Sequence, residues 1–206
     1  MKSKKDLVQA EATKAHLELG KRSIVGLSVG LGKTKLAIDR IKSIREHKPD
    51  AKVLFTGARQ VYIDNFKKEL RIWNCSEDNI TMICNKSMLN HYEYFDLVIY
   101  DEAHKETDLF LYNIAKIIEH NKDVEILGLT GTPPHAENPI YKLLPLSYSY
   151  LLNDAVDNQF LNNFHITVVE FSMTLQEIDM YRYLHQNYIF SEYSGKYSPE
   201  LSKLKI

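Results

Sequence analysis

Residues 25–37 read VGLSVGLGKTKLA, with Gly26, Gly30 and Gly32 inside seven positions and a Lys33-Thr34 pair directly after the last glycine. Glycines let backbone N–H groups close around an anion, and the start of the helix that follows adds its positive dipole end. A lysine and a hydroxyl at this spacing suit the β- and γ-phosphates of a nucleotide and its Mg2+. Ser28, Val29, Gly30, Leu31, Gly32, Lys33 and Thr34 are therefore the candidate nucleotide cradle. The strict pattern G-x-x-x-x-G-K-[ST] would place its first glycine at position 27, where Leu27 stands. Taken alone, GLGKT could be a glycine turn with no ligand.

A second stretch bears on that choice. DLVIYDEAH, residues 96–104, is an apolar strand whose end carries Asp101 and Glu102, and Asp101 lies 68 residues beyond Lys33. Open parallel sheets bind ligands at the carboxyl ends of their strands. There one acid can hold Mg2+, as expected of Asp101 together with Thr34. The other, Glu102, can orient and deprotonate a water that attacks the γ-phosphate, with Lys33 as its catalytic partner.

GLGKT, DEAH and LTGTP, in this order and spacing, resemble motifs I, II and III of superfamily-two helicases and translocases. The resemblance covers roughly residues 5–175, the first RecA-like domain of that family. It implies an ATP hydrolase that uses Mg2+, with Gln9, 24 residues before Lys33, placed to read adenine through its amide donor and acceptor. It implies that Thr130, Gly131 and Thr132, with His104, couple the nucleotide site to a nucleic-acid site. VLFTGAR is similar to motif Ia, which makes Thr56 and Arg59 candidate contacts to nucleic-acid phosphates. GLGKT paired with LTGTP is most similar to the double-strand DNA translocases of remodeller, phage and restriction type, so DNA is favoured over RNA.

The elements that must position these residues alternate. Helices are expected over 6–20, 33–46, 59–73 and 107–120, from apolar residues at 3.6-residue spacing, in the third of them Tyr62, Phe66, Leu70 and Trp73. Strands are expected over 23–28, 51–57, 79–84, 95–104 and 124–134. Beyond Pro134 the pattern gives short helices and loops to residue 164, a strand over 164–173, a helix over 174–190 and a polar end. Such alternation predicts an α/β, RecA-like P-loop domain, with a parallel sheet between helices on both faces, over residues 1–150. Residues 151–206 are expected to be a helical and extended exit towards a second helicase lobe.

Composition narrows the partners. The chain of 206 residues is 44% hydrophobic and 26% charged with a net charge of -1, so a nucleic-acid site must be a local patch. Cys75 and Cys84 have no metal or redox spacing, no apolar run is long enough for a membrane span, and the basic N-terminus lacks a signal-peptide core. These features lead to an expectation of a cytoplasmic or nuclear protein with no membrane partner. Of six arginines the last is Arg182, and no second arginine motif is visible after it. Helicases of this kind hydrolyse ATP between two lobes, and the second supplies an arginine. Two function classes follow: a motor domain completed by a second lobe in cis or in trans, or a nucleotide-binding regulatory or assembly module that does not turn over alone.

Overall fold

The computed structural model describes residues 3–84, 94–105, 108–162, 167 and 172–194. The chain divides into two compact units, residues 1–163 and 164–206.

The first unit is a six-stranded sheet flanked by helices. Its strands are β1 (Arg22–Leu27), β2 (Val53–Gly57), β3 (Ile80–Cys84), β4 (Leu97–Asp101), β5 (Glu125–Thr130) and β6 (Leu146–Tyr150). They lie in the order β3-β2-β4-β5-β1-β6, and every neighbouring pair is parallel. The helices are α1 (Lys4–Glu18), α2 (Lys33–His47), α3 (Gln60–Ile72), α4 (Asp108–His120) and α5 (Leu152–Asp157). The expected RecA-like α/β fold is thus the one observed.

Strand residues alternate between two cores, as a sheet covered on both faces requires. Val25, Leu27, Phe55, Leu97, Ile99, Leu127 and Leu129 pack with α1, α2 and α3. Ile24, Leu54, Val98, Tyr100 and Ile126 pack with Phe110, Ile114 and Ile117 of α4. The helical stripes hold with small shifts. In α3 the buried residues are Ile63, Phe66 and Leu70, so Ile63 replaces the expected Tyr62 and Trp73, which lie half-buried at the edges of the stripe.

Two differences from the sequence reading stand out. The acid-bearing strand is shorter than expected: β4 ends at Asp101, Glu102 takes a left-handed φ of 57°, and residues 103–105 form a 3-10 turn. The stretch read as short helices and loops contains β6, which pairs with β1 at the sheet edge. LSYSY alternates, but its side chains are half-buried or exposed, so it lacks the apolar signal of an inner strand. The strand expected over 164–173 falls largely outside the described residues. In the second unit, α6 (Leu175–Ser194) is a helix, where one was expected. Among the described residues, no helix is long and apolar enough to cross a membrane.

Candidate nucleotide site

The parallel register brings the three motifs to one edge. Gly26 of β1 lies opposite Thr130 of β5, and Asp101 of β4 lies opposite Leu129 of β5. β5 therefore separates the glycine loop from the paired acids by a single strand, and its own end carries the TGTP turn.

The loop owes its shape to two left-handed glycines, Gly30 at φ 81° and Gly32 at φ 79°, which any residue with a Cβ would adopt only under strain. Gly32 is also the N-cap of α2, so the orphan N–H groups of the helix start face the loop. Leu31 N–H donates to the Ser28 carbonyl at 3.3 Å, which tightens the turn. The Lys33 ammonium folds back over the loop and donates to the Leu27 carbonyl at 3.1 Å. Gly131 lies beneath that ammonium, since a Cβ there would stand 3.4 Å from Lys33 Nζ. Ser28 and Leu31 are buried, Val29 is exposed, and Lys33 and Thr34 are half-buried.

The departure at position 27 has a structural counterpart. Leu27 is fully buried in the core, and it is its carbonyl that meets Lys33. The glycine that matters on the strand is Gly26: a Cβ there would come within 2.7 Å of Pro133 Cγ. Pro133 of the TGTP turn thus sits directly on β1, a contact no motif pattern announces.

Asp101 and Glu102 follow at the end of β4. The Glu102 N–H donates to Asp101 Oδ1 at 3.1 Å. Burial pushes the Asp101 carboxyl up to about 6, the neighbouring Glu102 charge pushes the same way, and the Glu102 N–H, Lys33 and Lys105 oppose them. Two neighbouring acids, one of them buried, repel each other here, a setting that a divalent cation would relieve. A carboxylate and a threonine hydroxyl, as in Asp101 and Thr34, are the donor chemistry of Mg2+, which takes few protein ligands and completes its shell with water and phosphate.

His104 joins the acids to the turn. Its Nδ1 lies 2.9 Å from Thr130 Oγ1 and 3.3 Å from Glu102 Oε2. Thr130 is fully buried and its hydroxyl accepts from the Thr132 N–H at 3.1 Å. The left-handed Glu102 swings its side chain back to this histidine.

Gln9 lies in α1, 7% exposed. Its Nε2 donates to the Leu31 carbonyl at 2.8 Å, so α1 is tied to the glycine loop. Lys5 makes a parallel tie, from Nζ to the Gly30 carbonyl at 3.0 Å. Of the two motif Ia residues, Thr56 is fully buried, whereas Arg59 is exposed at the N-cap of α3. Of the two, Arg59 is the one open to solvent.

Sequence reasoning missed a buried polar knot at the opposite end of the sheet. His16 of α1 contacts Ser23 Oγ at 2.7 Å and Glu125 Oε1 at 3.1 Å. Arg40 of α2 grips both Glu125 oxygens, at 2.5 Å and 2.7 Å. Burial pushes the Glu125 carboxyl up, but Arg40 and His16 outweigh it and hold it below its ordinary value. A lone Glu at a strand start carries no sequence signal of partners 85 and 109 residues away.

Comparison with known proteins agrees with this geometry. Residues 77–135 match the family model described as type III restriction enzyme, res subunit. That span holds β4, α4, β5, the paired acids and the TGTP turn. Among solved structures, the chain is similar to the Hef helicase domain of Pyrococcus furiosus, at 17% identity and a TM-score of 0.55, over 80% of this chain and 43% of that one. It is also similar to the type ISP restriction-modification enzyme LlaBIII bound to DNA, at 15% identity and a TM-score of 0.54, over 80% of this chain and 16% of that one. The chain thus spans less than half of either structure. A search of the curated proteins returned no match. The fold of the first unit is thus that of the RecA-like domains of helicases and restriction enzymes, and residues 77–135 are similar to the res-subunit family.

Proposed function

We propose that this chain is the ATP-hydrolysing half of a motor that moves on nucleic acid, double-stranded DNA before RNA. The observation that carries the reading is the convergence of Lys33, Asp101, Glu102, His104 and Thr130 at neighbouring strand ends. The two structures named above, a helicase domain and a restriction enzyme bound to DNA, support it by fold.

In this reading the glycine loop and the start of α2 hold the triphosphate through backbone N–H groups. Lys33 leaves the Leu27 carbonyl for the β- and γ-phosphates. Thr34 and Asp101 would hold Mg2+, which supplies charge neutralisation at the phosphates when bound. Glu102 accepts the proton of the attacking water. His104 senses the change at Glu102 and relays it to Thr130, and the turn through Thr132 carries it towards the nucleic acid. Gln9 reads adenine, and Arg59 meets the nucleic-acid backbone. A second RecA-like lobe closes over the γ-phosphate and brings the arginine that stabilises the transferring group.

The deciding experiment is ATP hydrolysis by the chain joined to a second lobe, with and without duplex DNA and with and without Mg2+. Mg2+-dependent turnover stimulated by duplex DNA is the expected result. Turnover indifferent to nucleic acid would end the motor reading.

A further inference from the structure

A groove of about 390 Å3 runs between α1 and α2 beside the glycine loop. Asp6, Gln9 and Thr13 line one wall, Lys35 and Asp39 the other. Lys35 follows the Lys33-Thr34 pair, but its ammonium turns away from the loop. It donates to Asp39 Oδ2 at 2.6 Å and to Gln9 Oε1 at 3.3 Å. It lies 3.9 Å from Asp6 Oδ1 and 5.2 Å from the centroid of the Trp73 ring. Four neighbours fix one half-buried cation.

The consequence falls on Gln9. An amide end has two orientations of similar shape, and its partners alone decide between them. Here the partners are opposite in kind. The Leu31 carbonyl can face only the Nε2 donor, and the Lys35 ammonium can face only the Oε1 acceptor. One hydrogen on Nε2 and one lone pair on Oε1 stay available, in a known order. Adenine offers an amino donor beside a ring acceptor and matches such a pair; guanine offers two acceptors on the same edge and leaves a lone pair facing a lone pair.

We propose that Lys35 is the positioning residue for purine selectivity: it fixes the Gln9 amide so that the groove accepts adenine and refuses guanine. This rests on the reading of Gln9 as the adenine-sensing residue. Lys35 touches neither base nor phosphate and acts through Gln9, with Asp39 as the anchor that keeps the ammonium in place.

The test is a set of equilibrium titrations of the 206-residue chain with ATP, GTP and inorganic tripolyphosphate, for wild type, Gln9→Ala, Lys35→Met, Lys35→Arg and Asp39→Asn. Wild type should prefer ATP, and Gln9→Ala should lose that preference. Lys35→Met should reduce the ATP-to-GTP ratio about fivefold, the worth of one hydrogen bond, with tripolyphosphate affinity unchanged. Lys35→Arg should restore most of the ratio, and Asp39→Asn should shift it in the same direction as Lys35→Met, which separates positioning from a folding defect. If Lys35→Met keeps the wild-type ratio while Gln9→Ala loses it, the role of Lys35 is overturned and that of Gln9 stands. If Lys35→Met weakens tripolyphosphate as much as ATP, Lys35 acts as phosphate charge and the proposal falls. A wild type without ATP preference overturns both.

Discussion

His104 Nδ1 and Thr130 Oγ1 lie 2.9 Å apart, and this contact joins the ends of β4 and β5. Through it Glu102, 3.3 Å from the same nitrogen, is linked to the TGTP turn; in the proposed reading that joins the general base to the turn that faces nucleic acid. Thr130→Val keeps the shape and removes the hydroxyl. In protein joined to a second lobe, this change should lower DNA-stimulated hydrolysis about tenfold, with nucleotide affinity altered less than about twofold, as for a group that acts after binding. A parallel loss of affinity would show that the hydroxyl only holds the site together.

The two acids should separate by substitution. Glu102→Gln should leave nucleotide bound and reduce hydrolysis by about two to four powers of ten, the usual worth of a general base. Asp101→Asn should weaken Mg2+ instead, read as a rise in the Mg2+ concentration needed for half-maximal nucleotide binding. Hydrolysis by Glu102→Gln at the wild-type rate would remove it from its role.

Asp101 also makes a claim about stability. Its carboxyl is raised from 3.8 to about 6 in the fold, with burial the main cause. Between those values the folded state holds a proton that the unfolded state has released, so stability falls as pH rises through this window. At neutral pH the ionised group destabilises the metal-free protein by on the order of 3 kcal/mol. Asp101→Asn should therefore stabilise the metal-free chain at pH 7.5 and leave it nearly unchanged at pH 4, as read by urea denaturation at both values. An equal shift at both pH values would contradict the assignment.

The knot at the other end of the sheet has the opposite sign. Glu125 is held below its ordinary value by Arg40 and His16, so its contribution is complete above the usual carboxylate range. That contribution is lost as pH falls through the lowered value. Arg40→Met leaves a buried carboxylate without its main partner and should cost roughly 3–5 kcal/mol at neutral pH. Loss of less than about 1 kcal/mol in denaturant titration would place the pair among surface ion pairs of little weight.

The 206-residue chain by itself should bind ATP weakly, hydrolyse it very slowly and unwind nothing. Preorganised donors aimed at developing charge supply the largest catalytic contribution in many enzymes, and in the proposed reading one of them, an arginine, comes from a second lobe. Phosphate release by the purified monomer, with and without duplex DNA, is the measurement. Robust DNA-stimulated turnover would show that no second lobe is needed.

Much of this arrangement was legible from residue types and spacing. The inner strands are short apolar runs, their helices carry clear stripes, and GLGKT, DEAH and LTGTP fix their own positions at strand ends. β6 was not legible, because an edge strand with one wet face has no need of the apolar run that marks an inner one. Ile63 was missed because a stripe read from its aromatic residues drew attention to Tyr62 and Trp73. The hidden partners of Glu125 and the seat of Pro133 on Gly26 come from residues far apart in the chain, and no local pattern encodes them. Gln9 was singled out by its spacing from Lys33 in the family this sequence resembles, but its ties to Leu31 and Lys35 arise only in the folded chain.

β5 carries Glu125 at its first residue and Thr130 at its last. At about 3.3 Å per residue it is a bar roughly 17 Å long. Its foot is clamped by Arg40 and His16, while its tip holds the hydroxyl that listens to His104. Pairing with β1 and β4 holds the rest of the strand along its length. A push at the tip therefore leaves the foot still and is spent in the turn beyond Thr130, where Pro133 rests on Gly26 of the strand that bears the glycine loop.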